Sequence, residues 1–233
     1  MIILKQKDFD DLLQAMADEE KIFIAGCADC AAACKVGGEE ELARMKQRLI
    51  EAGKTVTGTH VFDTACLSGA VRDGCKAHQD AIDAADAILV LACGTGVQCI
   101  GDRLDEVQVH PGAESLFVGE TKALGRYEEK CSVCNQCLLE MTDGICPVTR
   151  CSKGLLNGPC GGYTEDGKCE VDPDKDCAWL LIYERLKARG HLDKVAPVQP
   201  PHDHSGHHHP RSYRWPKPER PKKKKSTPTK DPA

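Results

Sequence analysis

Between Cys131 and Cys177 the chain carries eight cysteines, several glycines and almost no periodic apolar run. A segment of about fifty residues with so little apolar matter cannot build a hydrophobic core that sustains it, so it depends on covalent or metal cross-links. All 15 cysteines of the 233-residue chain fall between Cys27 and Cys177. The N-terminus, MIILKQKDFDDLL, lacks a basic stretch leading into an apolar one, which predicts a chain that is not exported. The longest apolar run, Ala87–Cys93, is far short of the roughly 18 residues of a membrane helix, so no membrane insertion is expected. In a reducing cytoplasmic setting stable disulfides are rare, and metal or redox chemistry is the first reading of so many thiols.

Upstream, the pattern is different. Phe9, Leu12, Leu13 and Met16 place a helix within Asp8–Glu20, and Ile22–Ala25 is a short buried strand ending at Gly26-Cys27. Glu39–Ala52 reads as a helix with an acidic first turn and Gly53 as its stop. Lys54–Phe62 is a second strand, Cys75–Ala85 a helix, and Ala87–Ala92 a third strand. A helix with Val97, Ile100 and Leu104 follows, then Ser115–Val118 as a fourth strand. Alternation at these lengths predicts an α/β domain over 1–125, an open, mainly parallel sheet with helices. Ligands of such sheets sit outside the carboxyl ends of the strands. A cysteine-rich metal-dependent module is expected over 126–195, closed by a helix at Ala178–Arg189.

Residues 196–233 hold nine of the 13 prolines, five of the nine histidines and nine Lys/Arg against three Asp/Glu. This tail carries about +6 and leaves about −11 on the body, hidden in a net −5. Its composition predicts disorder. The His202, His204, His207, His208, His209 tract has ligands for nickel, zinc or copper but reads as solvated low-complexity sequence. Lys222–Lys225 lacks stacking aromatics nearby, so general electrostatic attraction is expected and no nucleic-acid partner.

The cysteines fall into two constellations. Cys27-x2-Cys30-x3-Cys34 follows the first strand of the sheet, and soft iron sites need several thiolates converging in this way. Cys93, at the end of the third strand on the same sheet edge, is the expected fourth ligand; Cys66, Cys75 and Cys99 are left as free-thiol candidates. A redox Cys-x2-Cys pair or a zinc site are the alternatives. The second constellation is Cys131-x2-Cys134-x2-Cys137, then Cys146-Pro147, Cys151, Cys160, Cys169 and Cys177. It opens as ferredoxins do, but eight residues instead of three separate Cys137 from Cys146. Eight thiols could hold two four-iron clusters, one cluster and a zinc, or one cluster with spare thiols.

Gly94-Thr95-Gly96 is too short for a dinucleotide fingerprint. Gly158-Pro159-Cys160-Gly161-Gly162 would let backbone amides approach cluster sulfurs. His60, His78 and His110 read as structural or exposed, and no Ser/His/Asp set or carboxylate pair suggests catalysis.

The stretch CSVCNQCLLEMTDGICPVTRCSKGLLNGPCGGYTEDGKCEV with CAWLLIYERL, preceded by GCADCAAACKVGGEEE and ACGTGVQ, resembles the methylenetetrahydrofolate reductase C-terminal domain family. The resemblance covers about residues 1–195. It implies a non-catalytic iron–sulfur subunit of an oxidoreductase complex in one-carbon metabolism, on the methyl branch of the reductive acetyl-CoA pathway. Two or three [4Fe-4S] clusters are implied on the two cysteine sets, with zinc possible in place of one. The implied partners are a flavin-containing subunit, which reduces 5,10-methylenetetrahydrofolate to 5-methyltetrahydrofolate, and an electron donor. An eight-fold barrel of about 250 residues does not fit in this chain beside its module, so folate and flavin are expected on the partner. A zinc-bearing assembly subunit and a free-standing ferredoxin-like carrier are the rival expectations.

Overall fold

The computed structural model describes residues 1–207 and 209–214. Its centre is a four-stranded parallel sheet in the order β3-β2-β4-β5, made by Thr55–Phe62 (β3), Lys21–Cys27 (β2), Ala87–Leu91 (β4) and Gln108–Pro111 (β5). From Ile22 onward β2 is buried throughout, as is all of β4, because helices cover both faces. The strand period then sorts the side chains. Ile22, Ile24, Leu89 and Leu91 pack with Leu42, Met45 and Leu49 of α3 (Glu39–Glu51) and with Leu12 of α1 (Phe9–Ala15). Phe23, Ala25, Ile88 and Val90 face the other way. There they meet Val71 and Cys75 of α4 (Ser68–Ala77), Ile82 of α5 (Gln79–Asp83) and Ile100 of α6 (Gly94–Gly101).

Several boundaries differ from the sequence reading. Ser115–Val118 is not in the parallel sheet: it belongs to Ala113–Ala123 (β6), the middle of an antiparallel sheet with Ile2–Gln6 (β1) and Arg126–Cys131 (β7). The fourth parallel strand is β5, four residues long and ending at a proline, too short and too polar for its period to register. The expected Cys75–Ala85 helix is two helices meeting at His78, whose ring lies 4.4 Å from that of His60. The first helix stops at Ala15, where Lys54 Nζ donates to the carbonyls of Met16 (2.6 Å) and Glu19 (2.7 Å). His110 is buried on β5 with its Nε2 3.4 Å from Glu19.

The β6–β7 hairpin turns at Leu124-Gly125 and ends on Cys131, the first thiol of the cysteine-rich segment. That segment contains one short helix, Pro147–Arg150 (α7), and closes on Ala178–Arg189 (α8) with Gly190 in the left-handed conformation as its stop. Its buried cluster is small: Ile145, Cys177, Trp179, Ile182 and Leu186. The described part of the tail expected to be disordered touches this module. Gln199 exchanges two hydrogen bonds with Asn157, the His202 ring bonds the Cys134 carbonyl, and Asp203 N–H donates to Gln136. His208 and Lys222–Lys225 lie outside the described residues. No described helix is long and apolar enough to cross a membrane.

Candidate metal centres

The first cysteine run is built by a loop that leaves β2 and returns against it. Cys27 closes the strand, Cys30–Ala33 forms one helical turn (α2), and the chain folds back so that Cys27 N–H donates to the Gly37 carbonyl at 2.9 Å. This return leaves no room for side chains: a Cβ on Gly37 would lie 1.8 Å from the Leu91 carbonyl oxygen. Glu41, buried on α3, locks the loop by accepting from Gly38 N–H (3.1 Å) and from Arg44 (2.6 Å). Cys27 then parts from the other two thiols of the run, which meet at Ile2. Cys27 Sγ accepts from Ala65 N–H at 3.5 Å, on the side of the loop after β3. Cys30 Sγ accepts from Ile2 N–H at 3.4 Å, and the Cys34 thiol points to the Ile2 carbonyl at 3.8 Å. Burial pushes the Cys34 thiol up, against bonds from Leu4 and Tyr127 that pull it down. Cys93 caps the start of α6 at the carboxyl end of β4.

In the second constellation the structure brings distant cysteines together. Cys151, Cys160, Cys169 and Cys177 line one cavity, together with Lys153 and Trp179. Cys177 caps α8 and is buried, and Trp179, two residues on, is fixed by an Nε1–H bond to the Leu155 carbonyl at 2.9 Å. Around this cavity the sulfurs are met by donors. Gly162 N–H donates to Cys160 at 3.5 Å, and Gly161 beside it takes a left-handed backbone. Amides of Val171 and Asp172, with the Ser152 hydroxyl between them in effect, hold the Cys169 thiol below its ordinary pKa. Glu170 sits 3.1 Å from Cys160 and is paired with Lys153.

Cys131, Cys134, Cys137 and Cys146 lie outside that lining. The loop through the first three is tightly wound, with Val133 and Asn135 in the left-handed region, and Val133 N–H donates to Cys131 Sγ at 3.3 Å. Cys146 caps α7 ahead of Pro147. Half-buried Asp143 accepts from Lys194 (2.8 Å) and pairs with His191 (2.7 Å), which ties the end of α8 to the Met141–Gly144 turn. Those two partners, Lys194 first, hold its carboxyl down at about 2. Asp143 gave no signal in the sequence, because its partners lie about fifty residues away.

By chemistry the donors suit a thiolate-bound metal group: soft ligands, backbone N–H groups aimed at sulfur, and left-handed turns that let the chain approach closely. No disulfide consumes any of the cysteines. Among the described residues no three His, Cys, Asp or Glu side chains are grouped to hold a metal ion.

Residues 110–205 match the family described as methylene-tetrahydrofolate reductase C terminal. The match takes in β6, β7, both halves of the cysteine-rich module and α8, and it supports an association with methylenetetrahydrofolate reductase. No curated protein matches the chain. Among solved structures, arylmalonate decarboxylase is similar at 20% identity and a TM-score of 0.31, over 44% of this chain and 42% of that one. An ABC transporter substrate-binding protein from Sphaerobacter thermophilus is similar at 18% identity and 0.30, over 43% and 27%. The chain spans less than half the length of each.

Proposed function

We propose that this chain is the iron–sulfur electron-transfer subunit of a methylenetetrahydrofolate reductase complex. The observation that carries the reading is the cavity walled by Cys151, Cys160, Cys169 and Cys177, inside the segment that matches the reductase C-terminal family. These four would hold one four-iron cluster and Cys131, Cys134, Cys137 and Cys146 a second, with a further one among the cysteines of the N-terminal domain. Bound clusters supply single electrons, which a flavin on the partner subunit pairs for hydride transfer to folate.

The residues of this chain act as insulation and tuning. Amide donors to Cys160 and Cys169 stabilise negative charge on sulfur, which raises the potential of whatever the sulfurs bind. Lys153 balances Glu170 beside Cys160, so that a carboxylate next to a thiolate is tolerated. Trp179 and buried Cys177 keep water from the inner wall of the cavity.

Anaerobic purification followed by iron, sulfide and zinc analysis and a visible spectrum tests the reading. Roughly eight to twelve irons per chain are expected for two or three clusters. A colourless, iron-free protein loaded with zinc would overturn electron transfer and leave an assembly role. Co-purification with the flavin subunit at micromolar concentration is the expected sign of a dedicated partner; its failure would point to a free-standing carrier.

A further inference from the structure

Three adjacent parallel strands of the central sheet each lead to a cysteine at the same edge. Cys27 closes β2, opposite Phe62 at the end of β3, and Gly26 stands opposite Leu91 at the end of β4. Cys66 follows Phe62 by four residues and Cys93 follows Leu91 by two. Neighbouring strands run about 4.8 Å apart, so the three backbones leave the sheet side by side. The loop after β3 then folds over the edge: Ala65 N–H meets Cys27 Sγ at 3.5 Å. On its other side Ala65 packs against the first turn of α6, where a Cβ on Gly96 would come within 3.0 Å of the Ala65 side chain. Cys66, the exposed residue after Ala65, thereby stands beside Cys27 and beside the helix that Cys93 caps and that carries Cys99. Cys99 lies three residues beyond Gly96 on the same face of that helix, packed against the buried cluster that holds Ala65 and Cys27. Cys30 and Cys34 turn the other way, towards Ile2 on β1 and Tyr127 on β7.

We infer that the N-terminal metal centre is assembled across three strand ends by Cys27, Cys66 and Cys93, with Cys99 as its fourth thiol, and that it takes a four-iron cluster. This rests on reading the chain as an iron–sulfur protein. In such a cluster each thiolate binds a different iron, so the ligands come from separate elements around the group instead of crowding one ion. Each Fe–S bond forms as the thiol gives its proton to solvent, which exposed Cys66 and half-buried Cys93 and Cys99 can do. Cys30 and Cys34 have the structural task of pinning β1 to the loop after β2.

The test compares Cys66→Ser and Cys34→Ser in the full chain, purified anaerobically, by iron and sulfide content and by the electron paramagnetic resonance of the reduced protein. Cys66→Ser is expected to lose about four irons and one signal, and Cys34→Ser to keep the full complement. Full iron in Cys66→Ser, or equal loss in Cys34→Ser, overturns the ligand set while the iron–sulfur reading stands; a wild-type chain without iron overturns both. Should Cys66→Ser fail to fold, iodoacetamide mapping of the wild type decides. Cys66 and Cys99 are expected to be protected until a chelator strips the iron, and labelling of Cys66 with iron still bound overturns the inference.

Discussion

In the parallel sheet, β2 from Ile22 and the whole of β4 are buried, with large apolar side chains on both faces. From Cys131 to Asp176, a stretch about four times as long as those two strands together, only Thr142, Ile145 and Pro147 are buried. Both regions have defined backbones, and the difference is in what defines them. The sheet removes apolar surface from water, at about 25 cal/mol per Å². The module has little such surface, and its turns are set by glycines, left-handed residues and hydrogen bonds to sulfur. A region of the first kind folds on its own core; on the function proposed above, one of the second kind would be completed by what its thiols bind.

Metal removal is the sharpest way to break that contrast. After anaerobic chelation, trypsin is expected to cut at Lys153, Lys168 and Lys175 about tenfold faster or more, while fragments of the sheet domain survive. Equal resistance of both regions would mean that the module stands on its small cluster around Ile182 and Leu186. Next in size is a cavity in the sheet. Leu89 is fully buried, and Leu89→Ala should cost about 2–5 kcal/mol in urea unfolding with iron content unchanged. Val171→Ala, at an exposed site in the module, should stay within about 0.5 kcal/mol.

Gly37→Ala probes the join between core and metal edge. Its Cβ would collide with the Leu91 carbonyl, and a loss of about 1–3 kcal/mol is expected, with altered labelling of Cys27 and Cys93. Trp179→Phe removes the bond to the Leu155 carbonyl and should cost about 1 kcal/mol in the metal-loaded protein, read by thermal unfolding. The smallest effect is at Asp143. Its carboxyl is held down at about 2, below the unfolded value near 3.9, so its contribution is complete above pH 4 and fades as the pH falls towards 2. Amide exchange at His191 and Lys194 should speed up in that window, and Asp143→Asn should remove the pH dependence.

The strands of the sheet were legible because burial on both faces leaves unbroken apolar runs such as Ile22–Ala25 and Ala87–Ala92. Strands β1, β5, β6 and β7 were less so. β6 and β7 are half exposed, and Ser115–Val118 carries too little pattern to distinguish a parallel neighbour from an antiparallel one. The break at His78 depends on the ring of His60, which sequence cannot pair with it. At the candidate metal centres, a place just past a strand end marks Cys66, four residues beyond Phe62, as well as Cys93. The C-x2-C-x3-C spacing points to Cys30 and Cys34, and the helical turn of α2 sets both thiols against Ile2 of β1, a contact the spacing does not show.

By itself the sequence established the alternation of strands and helices, a region too poor in apolar residues to fold on a core, and a supply of soft ligands confined to Cys27–Cys177. Those are properties of composition and local period, which each residue carries wherever it goes. Only the tertiary structure decided which groups meet: Cys151 with Cys177 on one cavity wall, the loop that carries Cys66 over Cys27 at the sheet edge, Asp143 with His191 past the end of α8. Spacing along the chain limits how far two cysteines can be apart. Whether they face each other depends on strand order and loop closure, which are set by the burial of other residues.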